Sequence, residues 1–242
     1  MLSLMAMNQK ANGHVSSGLK IFVDIAMTCL PLCILLGTFE IMLHNDDYLN
    51  SLASKTATPQ LAEPKIPDPE AQAVSAEVVS YVRGGSALPM AHSSYFREEE
   101  LLHLANVRKV MSGALVVFVI LAAAVVISVA GIIALTKKLR VIRKHLLQKL
   151  FFLVGIETAV LAIIAVLASL AFDKAFALFH LILFRNGQWQ FPQNYLLVNL
   201  FSTSFFATFA RDLIVALFVE SIVILVAATV VRKKSIFSLD KS

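Results

Sequence analysis

Apolar and polar positions fall along the chain in long blocks rather than short alternations. Four apolar runs, roughly residues 21–43, 110–135, 150–172 and 213–231, reach the length of about 20 residues that a helix needs to cross a bilayer. Barrel strands would instead show ten-residue alternating stretches, so the runs predict helices. The first run is too long for the apolar part of a signal peptide, and no small-residue cleavage site follows it. It reads as an uncleaved anchor, with Asp24 and Glu40 near its two ends where they reach the interfaces.

Residues 44–109 are hydrophilic. Ala57–Ala71 carries four prolines and predicts an irregular connector. Ser75–Val82 predicts a short helix that stops at Gly84-Gly85. Phe96–Lys109 predicts an amphipathic helix, capped by Ser94, with Glu98, Glu99 and Glu100 at the positive end of its dipole. No breaker separates it from the second apolar run. Residues 173–212 hold two more apolar stretches. Ala175–Phe184 is too short to span, and Tyr195–Ala210 is interleaved with Asn199, Ser202, Thr203 and Ser204. Between them Asn186–Pro192 predicts a turn followed by the interfacial aromatics Trp189 and Phe191. Two short helices lying in, or dipping into, one leaflet are expected.

Composition agrees: 58% of residues are hydrophobic and 15% charged, more apolar surface than a soluble domain of 242 residues can bury. The net charge of +5 changes the picture through its distribution. Lys137, Lys138, Arg140, Arg143, Lys144 and Lys149 crowd the loop 136–149, and Arg232, Lys233 and Lys234 follow the last run. The positive-inside rule places both sites, and with them both termini, in the cytoplasm. The basic charge is then a topology signal and a lipid contact, and no nucleic-acid partner is expected. Five or six spans would put the basic loops on mismatched sides. The expected fold is an all-α integral membrane protein, one membrane domain over residues 1–242. It is a four-transmembrane-helix bundle with an extracytoplasmic amphipathic helix and short interfacial or re-entrant helices. Segments 44–109 and 173–212 lie outside. Cys29 and Cys33 both fall in the first span and read as packing residues.

Two histidines in the outer segments are candidates for chemistry. His103 lies about 10 Å above the second span, at headgroup depth, with Glu99 and Glu100 four and three residues earlier on its helix face. These carboxylates are placed to orient its ring or raise its basicity, although a plain solvated charged face has the same spacing. His180 is the one polar side chain in Ala175–Phe184, and a buried imidazole costs free energy unless it is bonded. Arg211-Asp212, at the mouth of the fourth span, fits an ion pair, a phosphate contact or interfacial anchoring. Glu157 and Glu220 lie on the third and fourth spans and suit helix-packing hydrogen bonds. The pair of histidines leaves open acid–base chemistry on a lipid ester, heme or metal binding, and a non-catalytic scaffold or accessory subunit. Metal requires more ligands than the two supply. No Gly-x-Ser-x-Gly elbow is present to mark a serine hydrolase.

Tyr81-Val82-Arg83-Gly84-Gly85, the stretch Phe96–Arg108, Phe179-His180, and Phe184–Pro192 together resemble the outer segments of the lipoprotein intramolecular transacylases. In that family a Tyr-Leu-x-Gly element precedes Glu-x-x-His-x-x-Asp-Val. The span layout also matches, so the resemblance covers nearly the whole chain. It departs at Asn106, which stands for the family Asp, and at Gln193 and Asn194, which stand for acidic residues.

The resemblance implies an enzyme of the bacterial cytoplasmic membrane, working at the outer leaflet on diacylated lipoproteins. The sn-2 acyl chain of a diacylglyceryl-cysteine would move to the α-amino group of that cysteine, giving a lyso-form lipoprotein, with His103 and His180 as the essential pair. Ester to amide runs downhill, so no metal or other cofactor is expected. His103 is expected to be the base and His180 the neutral donor to an oxygen, with the reverse assignment and a transient acyl-histidine as the alternatives, and with Glu99, Glu100, Asn106 and Tyr81 in support. Trp189 and Phe191 would anchor the loop at the interface, and Arg211 would meet a headgroup or substrate carbonyl.

Overall fold

A computed structural model describes residues 17–85, 90–135, 139–184 and 189–237. Among these the elements longer than a single turn are all α-helices: α1 Ser17–Leu43, α2 Asp46–Thr56, α3 Asp68–Val82, α4 Glu98–Leu135, α5 Leu139–Leu183, α6 Leu196–Leu200 and α7 Thr203–Phe237. Single 3-10 turns occur at Pro59–Leu61 and Ser93–Tyr95. Stretches long and apolar enough to cross a membrane are Gly18–Leu43, Glu98–Leu135, Leu146–Leu167 and Thr203–Val230. Large apolar side chains stand open on these helices, Ile41 and Ile127 among them, which fits lipid rather than water as their solvent. The protein is an all-α integral membrane protein with four membrane-crossing helices.

Local chemistry explains where the elements depart from expectation. α2 arises within the polar segment because Asn45 caps it, its side chain accepting from Tyr48 N at 3.0 Å, with Asp46 and Asp47 in the first turn and Lys55 in the last. α3 starts at Asp68 rather than Ser75, since Pro69 sits in its first turn, where a missing N–H costs nothing. α4 starts at Glu98, and Ser94 lies in the preceding 3-10 turn instead of capping it. Its cap is the return half of a capping box: Glu100 Oε2 accepts from Arg97 N at 2.8 Å. α5 breaks at Ala171 (φ −155°, ψ 54°), which ends the membrane run and sets off the short helix carrying His180. α7 starts at Thr203 rather than near Leu213, so the Tyr195–Ala210 stretch is divided between the short α6 and the first turns of α7. Ser202 marks the restart, its Oγ donating to Thr56 O at 3.0 Å and accepting from Phe205 N at 3.4 Å. The turn residues Arg185–Gln188 and the loop residues Lys137 and Lys138 lie outside the described residues.

At 1.5 Å per residue α4 is about 57 Å long, nearly twice the hydrocarbon thickness.

The described residues form two compact units. The first takes Met1–Ile34, Val119–Ala159 and Glu220–Ser242, with Leu19, Val23 and Ile132 buried together and an Asp24–Lys149 ion pair. The second, Leu35–Phe118 and Val160–Val219, holds both histidines. Its core joins Val74, Val78 and Tyr81 of α3 to Leu104 of α4 and Leu196 and Leu200 of α6. Asn199, 4% exposed, ties α6 to the turn before it and to Thr58. Its Nδ2 donates to Gln193 O and Tyr195 O, both at 2.7 Å, and its Oδ1 accepts from Thr58 Oγ1 at 2.9 Å. Thr58 N donates to its backbone carbonyl at 2.8 Å. Farther along, Glu77 accepts from His92 Nδ1 at 2.7 Å and from the backbone of Ala91 and His92, fixing the approach to α4. Burial alone would raise the Glu77 carboxyl, but those bonds outweigh it and hold the group below its ordinary range.

α3 ends on Gly84, whose φ of +90° closes the helix in a conformation that disfavours a side chain. Gly84→Ala is expected to cost about 1–2 kcal/mol, read as a lower melting temperature with membrane insertion intact.

Candidate active site

Within the second unit α4 and the short helix after Ala171 bring His103 and His180 face to face. The ring centroids are 6.3 Å apart and the planes 19° from parallel. Both rings are buried, at 8% and 7% exposure. The His180 helix is inside out: Leu178, Phe179, Leu181 and Ile182 are more than half exposed while its one imidazole is covered. That pattern suits a short helix in an apolar medium, where the polar side must be satisfied by protein.

The wall around the pair is aromatic. Phe176 lies 4.0 Å and Trp189 4.8 Å from the His180 ring, with Phe179 also against it. Phe184 touches both imidazoles, 4.9 Å from His103 and 5.5 Å from His180. Phe191 meets His103 edge-on at 5.4 Å. Trp189 and Phe191, expected as interface anchors, thus each cover one histidine. Sequence reasoning missed Phe176 and Phe184, although both stand four residues from His180, the spacing that shares a helix face.

His180 Nδ1 lies 2.9 Å from Phe176 O, one turn earlier. A carbonyl only accepts, so Nδ1 carries the hydrogen and Nε2 holds the lone pair of the neutral ring. Burial lowers the imidazole pKa, and the bond to Phe176, which favours the charged ring, only partly offsets it. Near neutral pH the group is therefore uncharged, with an accepting Nε2. This opposes the expected role of His180 as neutral donor, because its only N–H is spent on Phe176.

The carboxylates also sit differently from the expectation. Glu100 accepts from Arg97 N and Leu197 N, both at 2.8 Å, and Glu99 accepts the Tyr195 hydroxyl at 2.6 Å. They hold backbone and Tyr195. Tyr81 is buried under the Arg108 guanidinium, 4.8 Å above its ring, and belongs to the core. Asn106 is half-buried, three residues beyond His103 on α4. Arg211 is exposed and paired with Asp212 at 2.9 Å, and Asp212 in turn accepts the Tyr48 hydroxyl at 3.0 Å. Among the described residues no group of three or more His, Cys, Asp or Glu side chains is arranged to hold a metal ion.

The family model described as lipoprotein intramolecular transacylase Lit matches residues 25–206. The chain belongs to the lipoprotein intramolecular transacylase family. The match contains both histidines, their aromatic wall and Glu100, while Arg211 lies beyond it. The transacylase fold is also similar to the membrane integral lipoprotein intramolecular transacylase Lit from Bacillus cereus, in an in meso structure. The TM-score is 0.69 at 15% identity, over 93% of this chain and 98% of that one. No curated protein matches the chain. The protein is thus a membrane-integral acyltransferase of lipoprotein modification, its candidate site a pair of buried imidazoles walled by aromatic rings.

Proposed function

We propose that this transacylase moves the sn-2 acyl chain of a diacylglyceryl-cysteine lipoprotein to the α-amino group of the same cysteine. The product is N-acylated and S-monoacylglyceryl-linked. The reading is carried by the two facing imidazoles, one of them fixed as an Nε2 acceptor by Phe176. An α-amine with a reference pKa near 8 must shed a proton to attack, and the lone pair of His180 is suited to take it. The amine nitrogen then bonds to the ester carbonyl carbon, and the bond from that carbon to the sn-2 oxygen breaks. His103 gives the departing glycerol oxygen its proton and regains the one His180 took; the second proton that the nitrogen loses as the amide forms leaves through His180 to water, so the pair ends each cycle with the protons it began with.

Nucleophile and ester belong to one molecule, so holding them together replaces a bimolecular encounter by a high effective molarity. The apolar wall excludes water, which would otherwise compete for the acyl group. The basic loop and C-terminal tail support a cytoplasmic placement of both ends, with the histidines at the outer leaflet.

Expression in a bacterial host that makes only diacyl lipoproteins is the test. N-terminal lipopeptides are expected to convert to the N-acyl, S-monoacyl form, seen by fragmentation mass spectrometry. The doubly substituted His103→Gln, His180→Gln chain should leave them diacylated. Unchanged lipopeptides with the wild-type chain in the membrane would refute the reading.

A further inference from the structure

Glu100 is 1% exposed, and the structure gives it a task distinct from proton chemistry. One oxygen closes the N-terminus of its own helix on Arg97 N, and the other reaches α6 at Leu197 N. Its neighbours strengthen the same hold. The Arg97 guanidinium lies 4.1 Å over the Tyr195 ring, and Glu99 takes the Tyr195 hydroxyl. The start of α4 therefore grips Tyr195–Leu197 at three points: the aromatic face of Tyr195, its hydroxyl and the backbone N–H of Leu197.

The stretch leading into that grip covers the site. Phe191 stacks on Tyr195 at 5.7 Å and meets His103, while Trp189 covers His180. Glu100 also precedes His103 by three residues on α4, so it is fixed to the helix that carries one imidazole and bonded to α6, directly after the stretch that roofs both. A buried carboxylate on two N–H groups makes charge-assisted bonds, roughly twice as strong as neutral ones. Leaving it unbonded would be costly, so the two elements move together or not at all.

We infer that Glu100 is a positioning residue of the transacylase, holding the Trp189–Tyr195 stretch over His103 and His180 without touching substrate. What its loss does to turnover rests on the proposed reaction; the grip itself does not.

The experiment uses purified full-length protein in detergent with Glu100→Ala and Glu100→Gln. Glutamine keeps one accepting oxygen and turns an N–H2 toward the other N–H, whereas alanine keeps neither bond. Transacylation is expected to fall about a hundredfold in Glu100→Ala, as for a displaced reacting group, and Glu100→Gln should recover part of it. Trp189 is the sole tryptophan, so its emission reports the roof directly. In Glu100→Ala it should shift to the red and become open to acrylamide, with helical circular dichroism unchanged.

Should the alanine chain fail to fold, Glu100→Gln and Tyr195→Phe, which drops only the hydroxyl held by Glu99, carry the comparison. A wild-type rate and wild-type quenching in Glu100→Ala would overturn the inference. So would a lost rate with Trp189 undisturbed, or a glutamine variant no better than alanine. If the wild-type chain makes no lyso product, the reaction reading fails, while the quenching data still decide the grip.

Discussion

His180→Gln is expected to lower transacylation by about 10²- to 10⁴-fold, the usual worth of a positioned general base. Glutamine separates the two roles open to this residue. Its amide offers N–H donors, so it would keep much of the activity if position 180 only donated to an oxygen. It cannot take a proton, so it removes the activity of a base. The bond from Nδ1 to Phe176 O leads to the second outcome. Single-turnover measurement on a synthetic diacyl lipopeptide distinguishes them.

The pH profile follows from the same burial. Desolvation lowers the His180 pKa, so the neutral, accepting ring persists below the ordinary imidazole value and is lost only at more acid pH. The acid limb of the activity should therefore lie below pH 6.5, the reference for a free imidazole. The effect on stability has the same sign. Below the ordinary imidazole pKa the unfolded chain binds a proton that the folded chain refuses, so this residue costs stability as the pH falls toward and through its lowered value.

How much of this was legible in the sequence depends on the kind of signal. The membrane helices were, because twenty-residue apolar runs and basic loops are composition-level features. His180 stood out because a polar residue among apolar neighbours carries a solvation cost, whereas His103 was marked only by its height above the second span and its carboxylate neighbours, a spacing that a solvated face shares. Their roles were not legible. Spacing placed Glu99 and Glu100 on the face of His103, yet the first helical turn also offers unpaired N–H groups, and Glu100 satisfies one of those. Which nitrogen of His180 accepts depends on a carbonyl one turn away, which the residue type alone does not reveal. Trp189 and Phe191 read as interfacial because aromatic rings favour headgroups, but two buried imidazoles offered them closer partners. The helix at Asp46–Thr56 carried its own start signal in Asn45-Asp46-Asp47, outweighed by the polarity of the segment around it.

Asn199→Asp is expected to be the most damaging single-atom exchange in the extramembrane part of the protein. The native amide places one N–H2 group 2.7 Å from two carbonyl oxygens, Gln193 O and Tyr195 O, inside the core. Aspartate puts an oxygen there instead. Ionised, it faces two acceptors with a buried charge; protonated, it has one hydrogen for two carbonyls. The ionised form costs about 3–5 kcal/mol, the range for an uncompensated buried charge. Asn199→Ala, which strands the same carbonyls without adding a charge, should cost about 1–3 kcal/mol. The order Asn, then Ala, then Asp is unusual, since aspartate is the closer mimic in shape, and thermal unfolding in detergent would show it directly. The aspartate deficit should shrink as the pH falls, because protonation restores one donor, while the alanine deficit should not. The same amide ties Thr58 to α6, and α6 is the element that Glu100 holds. Loss of Asn199 should therefore also loosen the cover on His180, and Trp189 emission should shift to the red before the membrane helices unfold.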